Sequence, residues 1–249
     1  MTPTPAAVVI LGVRVHAVTM PAVLDWIAAA IARREPRQLC TSNPEFLMAA
    51  QADREFRDLL NAADLVVPDG IGLLLAARWL REPLPERVAG SDLVVQIAER
   101  AAREGWRLFC LGAAEGVAQR AAAVLQARYP GLVIAGTYAG SPRPEAEAEI
   151  VARVRAAAPD VLFVAYGAPA QDKWIARNRA RLAVPLCLGV GGSFDFLAGA
   201  ARRAPRWVQR LGLEWLHRLY RQPWRARRIF TATVLFSLAV LRHGRSPSR

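Results

Sequence analysis

Runs of branched and aromatic apolar residues alternate along most of the chain with stretches in which apolar side chains recur every three or four positions. The runs VVILGVRVHAV (8–18), QLCT (38–41), DLVV (64–67), RLFCLG (107–112), LVIAGTY (132–138), DVLFVAYG (160–167) and LCLGVGG (186–192) have the length and composition of strands. Helical periodicity fills the intervals, over 21–34, 44–61, 71–80, 92–104, 115–128, 144–157 and 170–182. Alternation of the two kinds of element through most of the chain predicts an α/β domain, its sheet largely parallel and covered by helices on both faces. No repeat or low-complexity linker interrupts the chain before residue 202, so the pattern predicts one α/β domain over 1–201 and an appendage over 202–249.

Ligands of parallel sheets bind beyond the carboxyl ends of the strands. The residues at those ends therefore form one predicted rim: Thr41, Ser42 and Asn43, then Asp69, Gly112, Gly167 to Gln171, and Gly189 to Asp195. Asp69, in LVVPDGIG, has three readings there: a cap for the helix that follows, a ribose hook for a dinucleotide, or a general base. The dinucleotide reading needs G-x-G-x-x-G, but Leu75 follows Gly70 and Gly72 where the third glycine belongs, and Phe194 breaks GVGGSF in the same way. The P-loop, nucleophile-elbow and H-E-x-x-H patterns are absent, and three histidines, His16, His217 and His243, give little material for a triad or a zinc site. Glycine-rich turns that open helices do offer N–H groups to phosphates, which suits a nucleotide-activated substrate. Asn43 or Ser42 can cap the helix at Pro44, and Gln171 and Asp172 in GAPAQDKW fall at a helix start, where acids are expected in any case.

With 53% hydrophobic side chains, a chain of 249 residues can bury a sizeable core. Cys40, Cys110 and Cys187 lie singly in or beside strand-like runs and read as small core residues. The N-terminus lacks a secretory signal, which predicts a cytoplasmic protein. The net charge of +12 is unevenly placed: residues 1–201 carry 21 basic against 20 acidic side chains, whereas the last 48 carry 12 arginines against the single acid Glu214. Trp207, Trp215, Tyr220 and Trp224 interleave with these arginines, and IFTATVLFSLAVL (229–241) is shorter than the roughly 20 apolar residues a spanning helix needs. A basic, aromatic and apolar tail on a neutral body predicts attachment to an anionic membrane surface. The alternatives are a helix packed on the domain, a homo-oligomer interface, or an arginine and tryptophan surface for nucleic acid. An oxidoreductase with a degenerate nicotinamide site is a further reading.

Taken in order, TSNPEF (41–46), ADLVVPDGIG (63–72), ERVAGSDL (86–93), FCLGAAEGV (109–117), YPGL (129–132), YGAPAQDKWI (166–175), GVGGSFDFLAG (189–199), RRAPRW (202–207) and GLEWLHRL (212–219) resemble the WecG/TagA/CpsF family, glycosyltransferase family 26, from about residue 8 to 230. With the alternation above, the expected fold is Rossmann-like with a helical, basic C-terminal appendage. The resemblance implies inverting transfer of a sugar, of the N-acetylmannosamine, N-acetylmannosaminuronate or glucose class, from a UDP-sugar to a polyprenyl-diphosphate-linked saccharide. It implies no metal cofactor, no nucleic-acid partner, and peripheral attachment to the inner face of the plasma membrane. By the same resemblance Asp69 is the general base, Thr41 stands with it as a catalytic residue, and Thr41 and Asn43 line the pocket. Gln171 binds substrate, and the matching segments add Arg87, Gly112, Gly191 and Arg203. The appendage arginines implied to hold the diphosphate are Arg218, Arg225 and Arg228, with Arg221. Arginine can take the place of a metal there because its guanidinium grips phosphate oxygens in pairs. Asp172 stands where the family has glutamate, and GTYAGSPRP departs from its aromatic segment after YPGL.

Overall fold

A computed structural model describes residues 5–201, 204–205, 208, 214–221, 224 and 226–243; of residues 217, 218, 221 and 243 it describes the backbone only. The first strand-like run is two strands. β1 (Ala7–Ile10) and β2 (Val13–His16) form an antiparallel hairpin, because Leu11 and Gly12 both take positive φ, 49° and 75°, the backbone of a two-residue hairpin turn. Alternating burial hid this break, since both strands keep their apolar side inward.

Six strands make the main sheet: β3 (Arg37–Ser42), β4 (Leu65–Pro68), β5 (Arg107–Gly112), β6 (Val133–Tyr138), β7 (Val161–Ala165) and β8 (Leu186–Gly189). Their spatial order is β4-β3-β8-β7-β5-β6 and every pair is parallel, as the alternation predicts. The hairpin stands beside β4, where buried His16 accepts the Val66 N–H through Nδ1 at 3.0 Å. Burial lowers the pKa of this ring, so His16 is a neutral packing residue, as the sequence suggests.

Successive residues of the inner strands enter opposite core layers. Leu39, Val67, Leu108, Phe163 and Leu188 pack under α1 (Met20–Arg33), α5 (Gly90–Glu104), α6 (Val117–Arg128) and α9 (Ser193–Leu197). On the other face Cys40 and Val66 meet α2 (Pro44–Ala52), α3 (Arg54–Ala62) and α4 (Ile71–Trp79), while Phe109, Leu162 and Cys187 meet α7 (Glu147–Ala157) and α8 (Ala170–Leu182). The helix expected over 44–61 is two helices. Asp53 leaves helical geometry at φ −124° and ψ 96°, caps α3 by accepting the Phe56 N–H at 3.0 Å, and pairs with Lys173 at 2.8 Å. α5 begins at Gly90, two residues earlier than its apolar periodicity indicates.

In the tail, α10 (Glu214–Arg221) and α11 (Ala226–Phe230) precede a π-helical turn at Thr231–Leu235 and α12 (Phe236–His243). α12 returns to the body, where Phe236 and Val240 are buried with α2 and α4. No helix of the described residues is long and apolar enough to cross a membrane.

Candidate active site

Beyond the carboxyl ends of β4, β3, β8 and β7 lies a cleft of about 510 Å³. Residues at the N-terminal ends of four helices, α2, α5, α8 and α9, are among its lining, and such ends carry the positive side of the helix dipole. Such convergence favours an anionic ligand before any arginine is counted.

Asp69 is one of the residues that line this cleft. Its N–H continues the β4 ladder by donating to Ser42 O at 2.6 Å, which fixes the backbone at the strand end. The following helix is capped by Gly70, at φ 141°, with no side-chain hydrogen bond, so Asp69 is not the cap of α4. Its Oδ2 instead accepts the N–H of Gly90, the first residue of α5, at 3.0 Å. The preceding Ala89 has no side chain that can cap, and Asp69 supplies the acceptor from the adjoining end of β4, where Val88 N–H also donates to Pro68 O. A carboxylate held against a helix N-terminus is electrostatically favoured and its orientation is fixed.

Thr41 packs beside it, with Oγ1 donating to Gly189 O at 3.4 Å. A Cβ on Gly90 would come within 3.2 Å of Thr41 Oγ1 and 3.3 Å of Asp69 Oδ2, so absence of a side chain at Gly90 brings these two groups together. Asn43 caps α2: its Oδ1 accepts the Phe46 N–H at 3.1 Å, which leaves the Nδ2 donor pair to address a ligand. Gln171, 2% exposed, accepts the Gly191 N–H through Oε1 at 3.0 Å. Its amide lies flat on Gly189, where an added Cβ would stand 2.3 Å from Nε2. Gln171 thus holds the glycine turn after β8, and Gly191 lines the cleft at φ 51°.

Behind Gln171, Asp172 is fully buried, its carboxyl set against the Cys40 thiol and the Gln171 side chain but with neither oxygen in good hydrogen-bond geometry. It lies near Cys40 and close to Gln38, whose Nε2 donates to the Asp172 carbonyl at 3.1 Å. Burial pushes its carboxyl up to about 7. The acid expected at a helix start is therefore an interior group.

Other sites fall elsewhere. Gly112 is not among the lining residues; at φ 98° it packs on the Ala165 backbone, where a Cβ would approach the carbonyl to 2.9 Å. Arg87 also lies outside the lining and pairs with Glu214 at 2.6 Å, tying α10 to the body. Arg228 lines the cleft and pairs with Glu45. The Arg218 and Arg221 side chains, and the whole of Arg203 and Arg225, are outside the described residues. Gly90, Ser91, Tyr166, Ser193 and Phe196 also line the cleft. Gly90 has a sequence signal, the glycine of AGSDL just before an apolar periodic run, but its significance depends on Asp69 arriving from another strand.

The sequence model of the glycosyl transferase WecG/TagA/CpsF family matches residues 8–249. The chain belongs to this family. Among its relatives are proteins named N-acetylglucosaminyldiphosphoundecaprenol N-acetyl-beta-D-mannosaminyltransferase. The one from Bacillus subtilis (strain 168) is 35% identical over 205 residues, 82% of this chain and 78% of the relative. That from Bacillus spizizenii is 33% identical over 211 residues, 85% and 81% of the two chains. A Staphylococcus aureus (strain NCTC 8325 / PS 47) protein of the same name is 34% identical over 215 residues, 86% and 84%. The family member described here is accordingly a glycosyltransferase of the hexosyl-transferring kind, with its cleft at the strand ends.

Proposed function

We propose that this glycosyltransferase transfers N-acetylmannosamine, or a closely similar hexose, from its UDP-sugar to a polyprenyl-diphosphate-linked N-acetylglucosamine, with inversion. The observation that carries the reading is Asp69, held by the Gly90 N–H in a cleft lined by the N-terminal residues of four helices. Inversion in one displacement needs one base and stabilisation of the leaving diphosphate. Asp69 takes the proton of the acceptor hydroxyl as its oxygen forms the new bond to the anomeric carbon. The bond from that carbon to the UDP oxygen breaks, and the charge released on the diphosphate is met by helix N–H groups and by Arg228, with the arginines of the appendage.

Thr41, the Nδ2 of Asn43 and the turn held by Gln171 position the donor. The transfer is proposed to run without a metal ion. The arginine-rich tail attaches the enzyme to the inner face of the membrane, where the lipid-linked acceptor resides.

The test is UDP release from a panel of UDP-sugars, with and without a short polyprenyl-diphosphate-linked N-acetylglucosamine and in the presence of EDTA. Wild-type protein is expected to release UDP with one donor only when acceptor is present. Asp69→Asn should lower that rate by roughly 10²- to 10⁴-fold while UDP binding is kept. Near-wild-type turnover in the variant would remove Asp69 from the role of base, and loss of activity in EDTA would overturn the metal-free reading.

A further inference from the structure

Exposed apolar area is concentrated on this molecule. Of the fifteen large apolar side chains exposed among the described residues, nine lie between Trp215 and Leu241 and three lie on α4. The three on α4 are Ile71, Leu75 and Trp79, at i, i+4 and i+8, so they form one stripe along the helix, with Leu75 60% exposed. The opposite side of α4 is the buried one, carrying Leu73, Ala76 and Ala77. α4 therefore buries one side in the core and carries three apolar side chains on its outer side as well, which core packing does not require.

Two neighbours define what this face meets. Gly72 of α4 packs against Phe236, so α4 and α12 lie together, and α12 exposes Leu238 and Leu241 beside its buried Phe236 and Val240. Exposed arginines flank the apolar side chains, Arg78 and Arg81 at the end of α4 and Arg227 and Arg242 around the tail helices, with Glu82 as an exposed acid nearby. A second copy of the chain would bring to this face the same net positive charge rather than its complement. An anionic bilayer complements these arginines and accepts the apolar side chains between them.

We propose that α4, outside the basic appendage, is a membrane-contacting helix that inserts Ile71, Leu75 and Trp79 into the interface of an anionic bilayer. The proposal rests on the lipid-linked acceptor of the functional reading and adds a second contact to the tail. Its geometry has a purpose in that reaction: Ile71 is two residues from Asp69, so seating α4 brings the base and the cleft to the surface from which the acceptor's lipid emerges.

Flotation of the full-length protein with phosphatidylcholine vesicles, with and without phosphatidylglycerol, tests it. Leu75→Glu removes one apolar anchor and adds a repelled charge. Val124→Glu makes the same change at an exposed site on α6, and Leu238→Glu makes it on the tail. Leu75→Glu is expected to weaken partition into phosphatidylglycerol vesicles roughly tenfold or more, the equivalent of losing one buried leucine, while Val124→Glu leaves it unchanged. Thermal melts verify folding, and Trp79→Ser replaces Leu75→Glu if the latter does not fold. Unchanged partition for Leu75→Glu and Trp79→Ser, with loss for Leu238→Glu, overturns the role of α4 and leaves the tail as the attachment. A change of oligomeric state in Leu75→Glu without a change in partition also overturns it, with a second copy as the occupant. Failure of wild-type protein to float with any vesicle overturns membrane attachment itself.

Discussion

Gly90 and Asp172 show how much of this site depends on single atoms. In Gly90→Ala the N–H that holds Asp69 remains, but the new methyl crowds Thr41 Oγ1 and Asp69 Oδ2 at 3.2 and 3.3 Å. Because Ala is a better helix residue than Gly, stability should be kept, whereas displacing Asp69, the proposed base, should lower turnover roughly tenfold or more. A thermal melt beside a kcat measurement separates the two effects. Asp172 makes a prediction about pH. Its carboxyl stays protonated in the folded protein up to about 7, against 3.8 for the free side chain, so between those values the folded state holds a proton that the unfolded chain has lost. Stability therefore falls as pH rises through that window and stays lower above it. Asp172→Asn, which cannot ionise, should lose less in melting temperature than wild type between pH 5 and 8. Equal slopes would mean that Asp172 is hydrated or partnered in solution.

The elements were legible from the sequence where apolar spacing alone decides them, as in the six parallel strands and α1, α7 and α8. The breaks were less so, because each depends on one residue's backbone or on a partner distant in sequence. Leu11 takes positive φ although it is neither glycine nor asparagine, and Asp53 interrupts an apolar pattern that continues through it from α2 into α3. Asp53→Ala should lower the melting temperature by a few degrees, and Asp53→Asn, which keeps an acceptor for the Phe56 N–H, should recover part of the loss. The strand-end rule located the rim and so Asp69, Thr41, Asn43, Gln171 and Gly191, all of which line the cleft. It also picks out Gly112, outside the lining of this cleft, whose positive φ and tight packing on Ala165 give the same glycine signal as a ligand turn. Nor does local spacing reveal that Arg87 faces Glu214, 127 positions away.

At the scale of the whole molecule, charge and apolar area are segregated. The neutral body carries the cleft, and the basic tail folds back to bury Phe236 and Val240 in the layer that contains α2 and α4. The tail is thus both packed and exposed, one side of α12 serving the core and the other the surface. Cys40, Cys110 and Cys187 occupy three strands of the one sheet, β3, β5 and β8, all buried, with the thiols of Cys110 and Cys187 pushed up to about 12 by desolvation. Since a thiolate is the reacting form, none should be labelled by an aromatic disulfide reagent while the sheet is closed. The protein consequently carries three internal clocks for its own opening. If mass spectrometry finds molecules with either no label or three, the sheet opens as one cooperative unit; if Cys110 reacts ahead of Cys40 and Cys187, the β5 side of the sheet comes apart first.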